Sequence, residues 1–192
     1  MQGRNTYIHE GVLVIKNFKE SSISRQALYD LVKKYSMEKI GPGIYITPET
    51  LEDEVYTLLL RCPKGIASHE DALYYYGLMD REPLMHTLTI YSGYNPTRLR
   101  NDGYRIYTVK KELLDLGKKI VTNQFGHKIP MYDLERTICD LVRSRSHFEI
   151  QDFNYALKSY AQRQDKNLYL LMKYAKAFRI ENIIRNYMEV LL

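Results

Sequence analysis

The chain has 192 residues, 45% hydrophobic and 27% charged, with 18 tyrosines, no tryptophan and a formal charge of +5. That balance suits one generous or two small packed domains and excludes a disordered chain. No apolar run approaches the ~18 residues of a membrane span, and the stretch GVLVI near the start is too short and wrongly placed for a signal peptide, so a cytoplasmic protein without membrane contact is expected. The two cysteines, Cys62 and Cys139, form no CxxC and sit among apolar neighbours, which predicts buried thiols rather than a disulfide.

Taken in chain order, the residues up to about Glu10 predict a short helix, followed by the apolar GVLVI. Ser24 is an N-cap for an amphipathic helix in which Ile23, Leu28, Leu31 and Val32 form the apolar side, leaving Arg25, Gln26, Tyr29, Lys33 and Lys34 for the other faces. Strand-prone pieces at 38–40 and 44–47 flank Gly41, Pro42 and Gly43, a hairpin composition closed by Pro48. Helix, amphipathic helix and hairpin within about fifty residues is the order of a winged helix-turn-helix, or of a small α+β unit with no nucleic-acid role.

LEDEVYTLLLRC then reads as a helix with Val55, Leu58, Leu59 and Cys62 inward. IASHEDALYYYGL predicts an extended piece running into a helix capped by Ser68, with Asp71 completing a capping box; His69 could be a general acid but has no partner in reach by sequence, so a capping or surface place is expected for it. Tyr74, Tyr75 and Tyr76 point to different sides of that helix and so make no stacking platform. MHTLTIYSGY and GYRIYTVKK are strand-like and joined by the loop NPTRLRND, a second hairpin turns at Gly126, and three helices follow, the last breaking near Arg179. The expected fold class is α+β, with residues 1–82 (core 4–48) as a winged helix-turn-helix and residues 83–192 as a domain of short antiparallel strands and a helical bundle.

No P-loop, HExxH, paired CxxC or GxSxG occurs, which argues against nucleotide hydrolysis, a zinc site and a nucleophile elbow; no cofactor or metal is expected. Asp133, Glu135 and Asp140 are the acids a cation-dependent nucleic-acid enzyme would need. On a helical wheel, however, Asp133, Arg136, Asp140 and Arg143 share one face opposite Leu134, Ile138, Leu141 and Val142, which predicts a solvated, self-neutralising ladder with Asp133 as N-cap. Between Arg98 and Lys119 the bases Arg98, Arg100, Arg105, Lys110, Lys111, Lys118 and Lys119 outnumber the acids Asp102, Glu112 and Asp115, predicting a second basic surface able to clamp DNA or pair two protomers.

The blocks ISRQALYDLVKKYSMEKIGPGIYITP, PKGIASHEDALYYYGL, KIPMYDLERTICDLVRSR, FNYALKSYAQ and LMKYAKAF, in that order across almost the whole chain, resemble the AbiEi family of abortive-infection antitoxins. The resemblance implies a non-enzymatic, two-domain type IV antitoxin of a phage-resistance operon. Its winged helix would repress the operon at inverted repeats in its own promoter, self-associating there. The second domain would counter a nucleotidyltransferase toxin without a stable complex. The charged face of Asp133, Arg136, Asp140 and Arg143 either only packs that domain or is also its antitoxin surface. On double-stranded operator DNA, Arg25, Gln26 and Tyr29 would face base edges, beside the cap Ser24, while Lys16, Lys19, Lys33, Lys34 and Lys39 would meet phosphates. Two alternatives stand beside this reading: a ligand-responsive winged-helix transcription factor, and a nucleic-acid-modifying enzyme using Asp133, Glu135 and Asp140.

Overall fold

A computed structural model of the chain describes residues 8–15 and 24–192. The chain is a mixed α+β protein that divides into two compact units, 1–63 and 64–192.

In the first unit, strands β1 (Ile8–His9), β2 (Val12–Val14), β3 (Glu38–Gly41) and β4 (Ile44–Ile46) form one sheet in the order β1-β2-β4-β3, every neighbouring pair antiparallel. The predicted helix reaching Glu10 is therefore a hairpin at its described end: Glu10 and Gly11 both adopt positive φ in the turn, and Ile8 pairs with Leu13. Its residues 1–7 lie outside the described part of the chain, as does Ile23. Helix α1 (Arg25–Lys34) starts where expected, because the Ser24 hydroxyl accepts a hydrogen bond from Ala27 N at 3.2 Å, and Lys33 and Lys34 sit favourably in its last turn.

Strand alternation gives this sheet two apolar faces. Leu13 packs with Leu28 of α1 and Met37 on one side. Val12, Ile44 and Ile46 pack with Tyr56 and Leu60 of α2 (Glu54–Arg61) on the other. The turn Gly41-Pro42-Gly43 uses Gly43 at φ +74°, and Ile15 N donates to Gly43 O at 2.7 Å.

The second unit carries β5 (Ile66–Ala67), α3 (His69–Tyr75), β6 (Thr87–Tyr91), α4 (Thr97–Asn101), β7 (Arg105–Val109), β8 (Lys118–Thr122) and β9 (Lys128–Tyr132), then α5 (Leu134–Arg143), α6 (Ile150–Gln162), α7 (Leu168–Ala177) and α8 (Glu181–Leu191). Its sheet order is β7-β6-β5-β9-β8. The sheet is mixed, not antiparallel as expected: β6 runs parallel to β7 and β5 parallel to β9. The reason lies in the segment read as the loop NPTRLRND, which forms the crossover helix α4 that a parallel connection needs. The boundary also moves from residue 82 to Pro63, because β5 pairs with β6 and β9, and Leu73 and Leu78 join the core of the second unit. That core is built by α5, α6, α7 and α8 through Ile138, Leu141, Phe153, Leu157, Leu171 and Ile184. The last predicted helix does break, with Arg179 at φ +59° between α7 and α8. Cys62 and Cys139 are both buried thiols, as expected, and form no disulfide.

Helix α5 corrects the predicted exposed ladder. Asp133, Arg136 and Asp140 are buried as completely as the apolar residues opposite them. The wheel located two faces correctly but could not show that the second is covered too. The Arg136 guanidinium lies between the rings of Tyr132, 3.9 Å from the centroid, and Phe178, 4.4 Å away. It donates from Nε to Asp140 at 2.9 Å and from Nη1 to the carbonyls of Leu113 at 2.9 Å and Leu116 at 2.6 Å. Arg143 Nη1 donates to the other Asp140 oxygen at 2.7 Å. Removing one partner of such a pair leaves an uncompensated buried charge. Asp140→Ala should therefore lower the stability of the second unit by about 3–5 kcal/mol, whereas Asp115→Ala, which breaks the exposed pair with Lys118, should cost under ~1 kcal/mol. Urea titration of both variants checks the contrast; equal costs would contradict the burial.

Candidate functional site

Two places in the molecule bring functional side chains together. The first is the outer face of α1. Opposite Leu28 and Val32, it exposes Gln26, Tyr29, Asp30, Lys33 and Lys34, and Tyr29 is 61% accessible although it is a large aromatic. Asp30 is the acid on this face, and its Oδ1 accepts from Gln26 Nε2 at 3.3 Å. Lys34 Nζ lies 5.4 Å from the Tyr35 ring centroid, and Lys39 is exposed on β3. Ser24 is occupied as the cap. Lys16 and Lys19 lie outside the described residues, as does the side chain of Arg25.

The second is a buried polar cluster at the amino end of α3, and most of it escaped the sequence. Ser68, His69, Glu70 and Asp71 leave the carboxyl end of β5 and are all buried. His69 is not at the surface: its backbone takes the left-handed φ of +49°, and its ring stacks on Tyr107 with centroids 3.4 Å apart and planes 4° from parallel. A non-glycine residue held there marks a position that the surrounding structure over-determines. Ser68 does not cap the helix through its side chain, and Asp71 closes no capping box. Asp71 instead accepts from His86 Nδ1 at 2.7 Å and, through its other oxygen, from Thr87 N and from Thr87 Oγ1 at 2.9 Å.

The hydrogen bonds around His69 form a directed chain. Thr89 Oγ1 donates to Ser68 Oγ at 2.8 Å, Ser68 Oγ meets His69 Nδ1 at 3.0 Å, and His69 Nε2 meets Ser144 Oγ at 3.1 Å. The arrangement that uses every proton has Ser68 donating to Nδ1 and a neutral imidazole donating from Nε2 to Ser144. In that tautomer Ser144 is an acceptor, not a hydroxyl activated by a base. Burial holds the His69 imidazole well below its ordinary range, and the guanidinium charges of Arg143, Arg136 and Arg105 press the same way. Burial pushes the Glu70 carboxyl up, opposed by its own backbone hydrogen bond and by Arg105, whose guanidinium it accepts.

The predicted second basic surface is divided by the sheet. Arg105, at the amino end of β7, turns to Glu70, and Arg100 donates to the carbonyl of Ile106 at 2.9 Å. Arg98, Lys110 and Lys111 are exposed, as are Lys118 and Lys119 on the edge strand β8. The predicted antitoxin surface of Asp133, Arg136, Asp140 and Arg143 is corrected: only Arg143 reaches solvent, with 28% of its side chain accessible. The three carboxylates once considered for a cation each serve the fold. Asp133 accepts from Arg136 N at 2.9 Å and from the Tyr174 hydroxyl at 2.8 Å, Glu135 accepts from Asn167 N at 2.8 Å, and Asp140 binds two arginines. Among the described residues no group of three His, Cys, Asp or Glu could hold a metal ion, and no helix is long and apolar enough to cross a membrane.

No family model matches the chain, and no curated protein matches it in sequence. Among solved structures, the RV2827C protein from Mycobacterium tuberculosis is similar in fold, with a TM-score of 0.64 at 9% identity over 92% of this chain and 72% of that one.

The depressed His69 sets a pH dependence. Its folded state binds the proton less readily than the unfolded chain, so its contribution to stability is lost as pH falls below the ordinary imidazole value of about 6.5. Between about pH 6.5 and the lowered folded value, this one group should give a slope approaching about 1.4 kcal/mol per pH unit. His69→Gln should remove that slope, read as the difference between the two proteins' urea midpoints across the range; identical slopes would place the titration elsewhere.

Proposed function

We propose that the first unit is a winged helix-turn-helix and that the chain is an operator-binding repressor and antitoxin. The observation that carries the DNA-binding reading is the outer face of α1, where Gln26, Tyr29, Lys33 and Lys34 stand in solvent on the side away from the sheet. A helix presenting an amide and a phenol among lysines, beside a β-hairpin, can be received by a major groove, with Gln suited to adenine and the lysines to phosphates. Arg25 and Lys39 extend the same reading, and Lys16 and Lys19 join it from sequence alone. Inverted repeats would bring two copies to one promoter.

The antitoxin half of the proposal rests on the ordered sequence blocks that resemble AbiEi antitoxins, SHEDAL and DLERTICDL above all. These two blocks supply the buried cluster around His69 and the α5 charge network, and Arg143 touches both: it binds Asp140, and its charge bears on His69. In this reading the chain restrains a nucleotidyltransferase toxin without a lasting complex. The buried network then acts as the scaffold of the second unit, and the antitoxin surface lies elsewhere on it.

Gln26→Ala, Tyr29→Ala and Arg25→Ala should each weaken binding to the upstream promoter by about 1–3 kcal/mol relative to a scrambled duplex. Lys33→Ala should weaken both duplexes alike and reduce the salt slope by about 0.9. Band-shift titrations at two salt concentrations read both effects, and equal losses on the two duplexes for the first three variants would defeat base reading. Co-expression with a nucleotidyltransferase encoded directly downstream tests the antitoxin half: growth restored by the wild type supports it, and persistent toxicity opposes it.

A further inference from the structure

The carboxyl ends of the parallel strands β6 and β7 carry a face that the proposed function does not use. Tyr91 ends β6, and Tyr94 follows across a turn closed by Tyr94 N donating to Tyr91 O at 3.1 Å. Their rings meet edge to face, centroids 6.3 Å apart and planes at 79°. Between them, Gly93 lies against Tyr91 so closely that a Cβ there would stand 2.9 Å from the ring. Ser92 fixes the turn to the neighbouring strand, donating to Val109 O from N at 2.8 Å and from Oγ at 2.7 Å.

The same end of the sheet gathers cations from three separate segments. Lys64 precedes β5, which pairs antiparallel with β6, and its Nζ lies 6.0 Å from the Tyr91 ring centroid. Arg98 stands in the first turn of α4, after Asn95 Oδ1 has accepted from Thr97 N at 3.0 Å. Lys110 and Lys111 leave β7 immediately after Val109, the partner of Tyr91. All four are exposed, and the acids nearest them along the chain are Asp102, four residues after Arg98, and Glu112. Tyr91 and Tyr94 are partly exposed.

We propose that this face binds single-stranded nucleic acid, with bases against Tyr91 and Tyr94 and backbone phosphates on Lys64, Arg98, Lys110 and Lys111. Aromatic rings set among exposed cations match the stacking-and-charge chemistry by which unpaired strands are held without sequence reading. A duplex keeps its bases stacked on one another and would leave the tyrosines unused. Helix α4, at five residues, is too short to fill a groove as α1 can. An acidic peptide would satisfy the cations but not the rings.

The test uses the full chain and fluorescein-labelled oligo(U) and oligo(dT) of about 12 nucleotides, a length within the span of one such site. A mixed-sequence duplex and a poly-glutamate peptide run beside them, all read by fluorescence anisotropy. Tyr91→Ala and Tyr94→Ala should each weaken single-strand binding about 5- to 150-fold, leave duplex binding unchanged and retain the wild-type melting temperature within a few degrees. Tyr91→Phe should bind as the wild type does. Lys64→Ala and Arg98→Ala should each reduce the salt slope by about 0.7. A preference between oligo(U) and oligo(dT) assigns the natural strand to RNA or DNA, and either supports the site. The proposal is overturned if the alanine variants bind single strands like the wild type, if Tyr91→Phe loses as much as Tyr91→Ala, if single-strand and duplex affinity fall together, or if poly-glutamate binds more tightly than the oligonucleotides.

Discussion

The second unit is organised around one guanidinium. Arg136 is fully buried, and a buried cation is tolerated only when carboxylate, carbonyls and aromatic faces replace the water it lost. Each replacement comes from a different part of the chain: Asp140 from its own helix, Leu113 and Leu116 from the segment before β8, Tyr132 from the end of β9, Phe178 from the end of α7. Accommodating this one side chain, whose Nε and Nη1 are hydrogen-bonded and whose buried Nη2 is not, therefore ties the sheet, the connecting segment and the helical layer together. Gly117 belongs to the same constraint. Its φ of +80° and its place against Arg136, where a Cβ would come within 2.6 Å of the arginine Cβ, let the chain pass closely enough for those carbonyls to be reached.

From Asp140 the network runs outward through Arg143, whose guanidinium also lies 4.2 Å from the Phe178 ring centroid, towards Ser144 and His69. Two arginines share one ring and one carboxylate at the end of α5, and Ser144, which follows it, lies within hydrogen-bond reach of His69. The imidazole is then closed in by the Tyr107 ring and by cations, so its neutral form is the one compatible with the packing. Strain at His69 and burial at Arg136 are thus parts of one arrangement. The network at Arg136 fixes the helix whose C-cap, Ser144, meets the His69 Nε2.

How much of this could be read from sequence depended on whether the signal was local. The cap at Ser24, the length of α1, the hairpin around Gly41-Pro42-Gly43 and the break at Arg179 are set by neighbouring residues, and the sequence located them. The wheel also placed Asp133, Arg136, Asp140 and Arg143 on one face of α5. It failed on what covers that face, since Leu113, Leu116 and Phe178 are too distant in the chain to carry a pattern. The parallel pairing of β6 and β7 was missed because α4 is short and rich in arginine and asparagine, which reads as a loop. The His69 cluster had a partial signal: Thr87 and Thr89 alternate on one side of β6, a polar side on an otherwise apolar strand, and four polar residues follow β5 without a break. Nothing within either segment pointed to Ser144 or Tyr107.

Polar groups of the chain fall into two sets. In the second unit one set is turned inward and answered by partners, so that Asp133, Glu135, Asp140, Glu70 and Asp71 are all committed to holding backbone and side chains in place, while Lys64, Arg98, Lys110 and Lys111 stay in solvent. In the first unit, α1 keeps Leu28 on the sheet and leaves Lys33, Lys34, the Gln26 amide and Tyr29 in water. Groups already satisfied within the fold gain little from a ligand, whereas exposed cations surrender counterions to a polyanion and exposed rings gain stacking. By that criterion the places to look for partners are the outer face of α1 and the Tyr91–Tyr94 end of the second sheet, and the acids that first suggest an active site are the residues least free to serve as one.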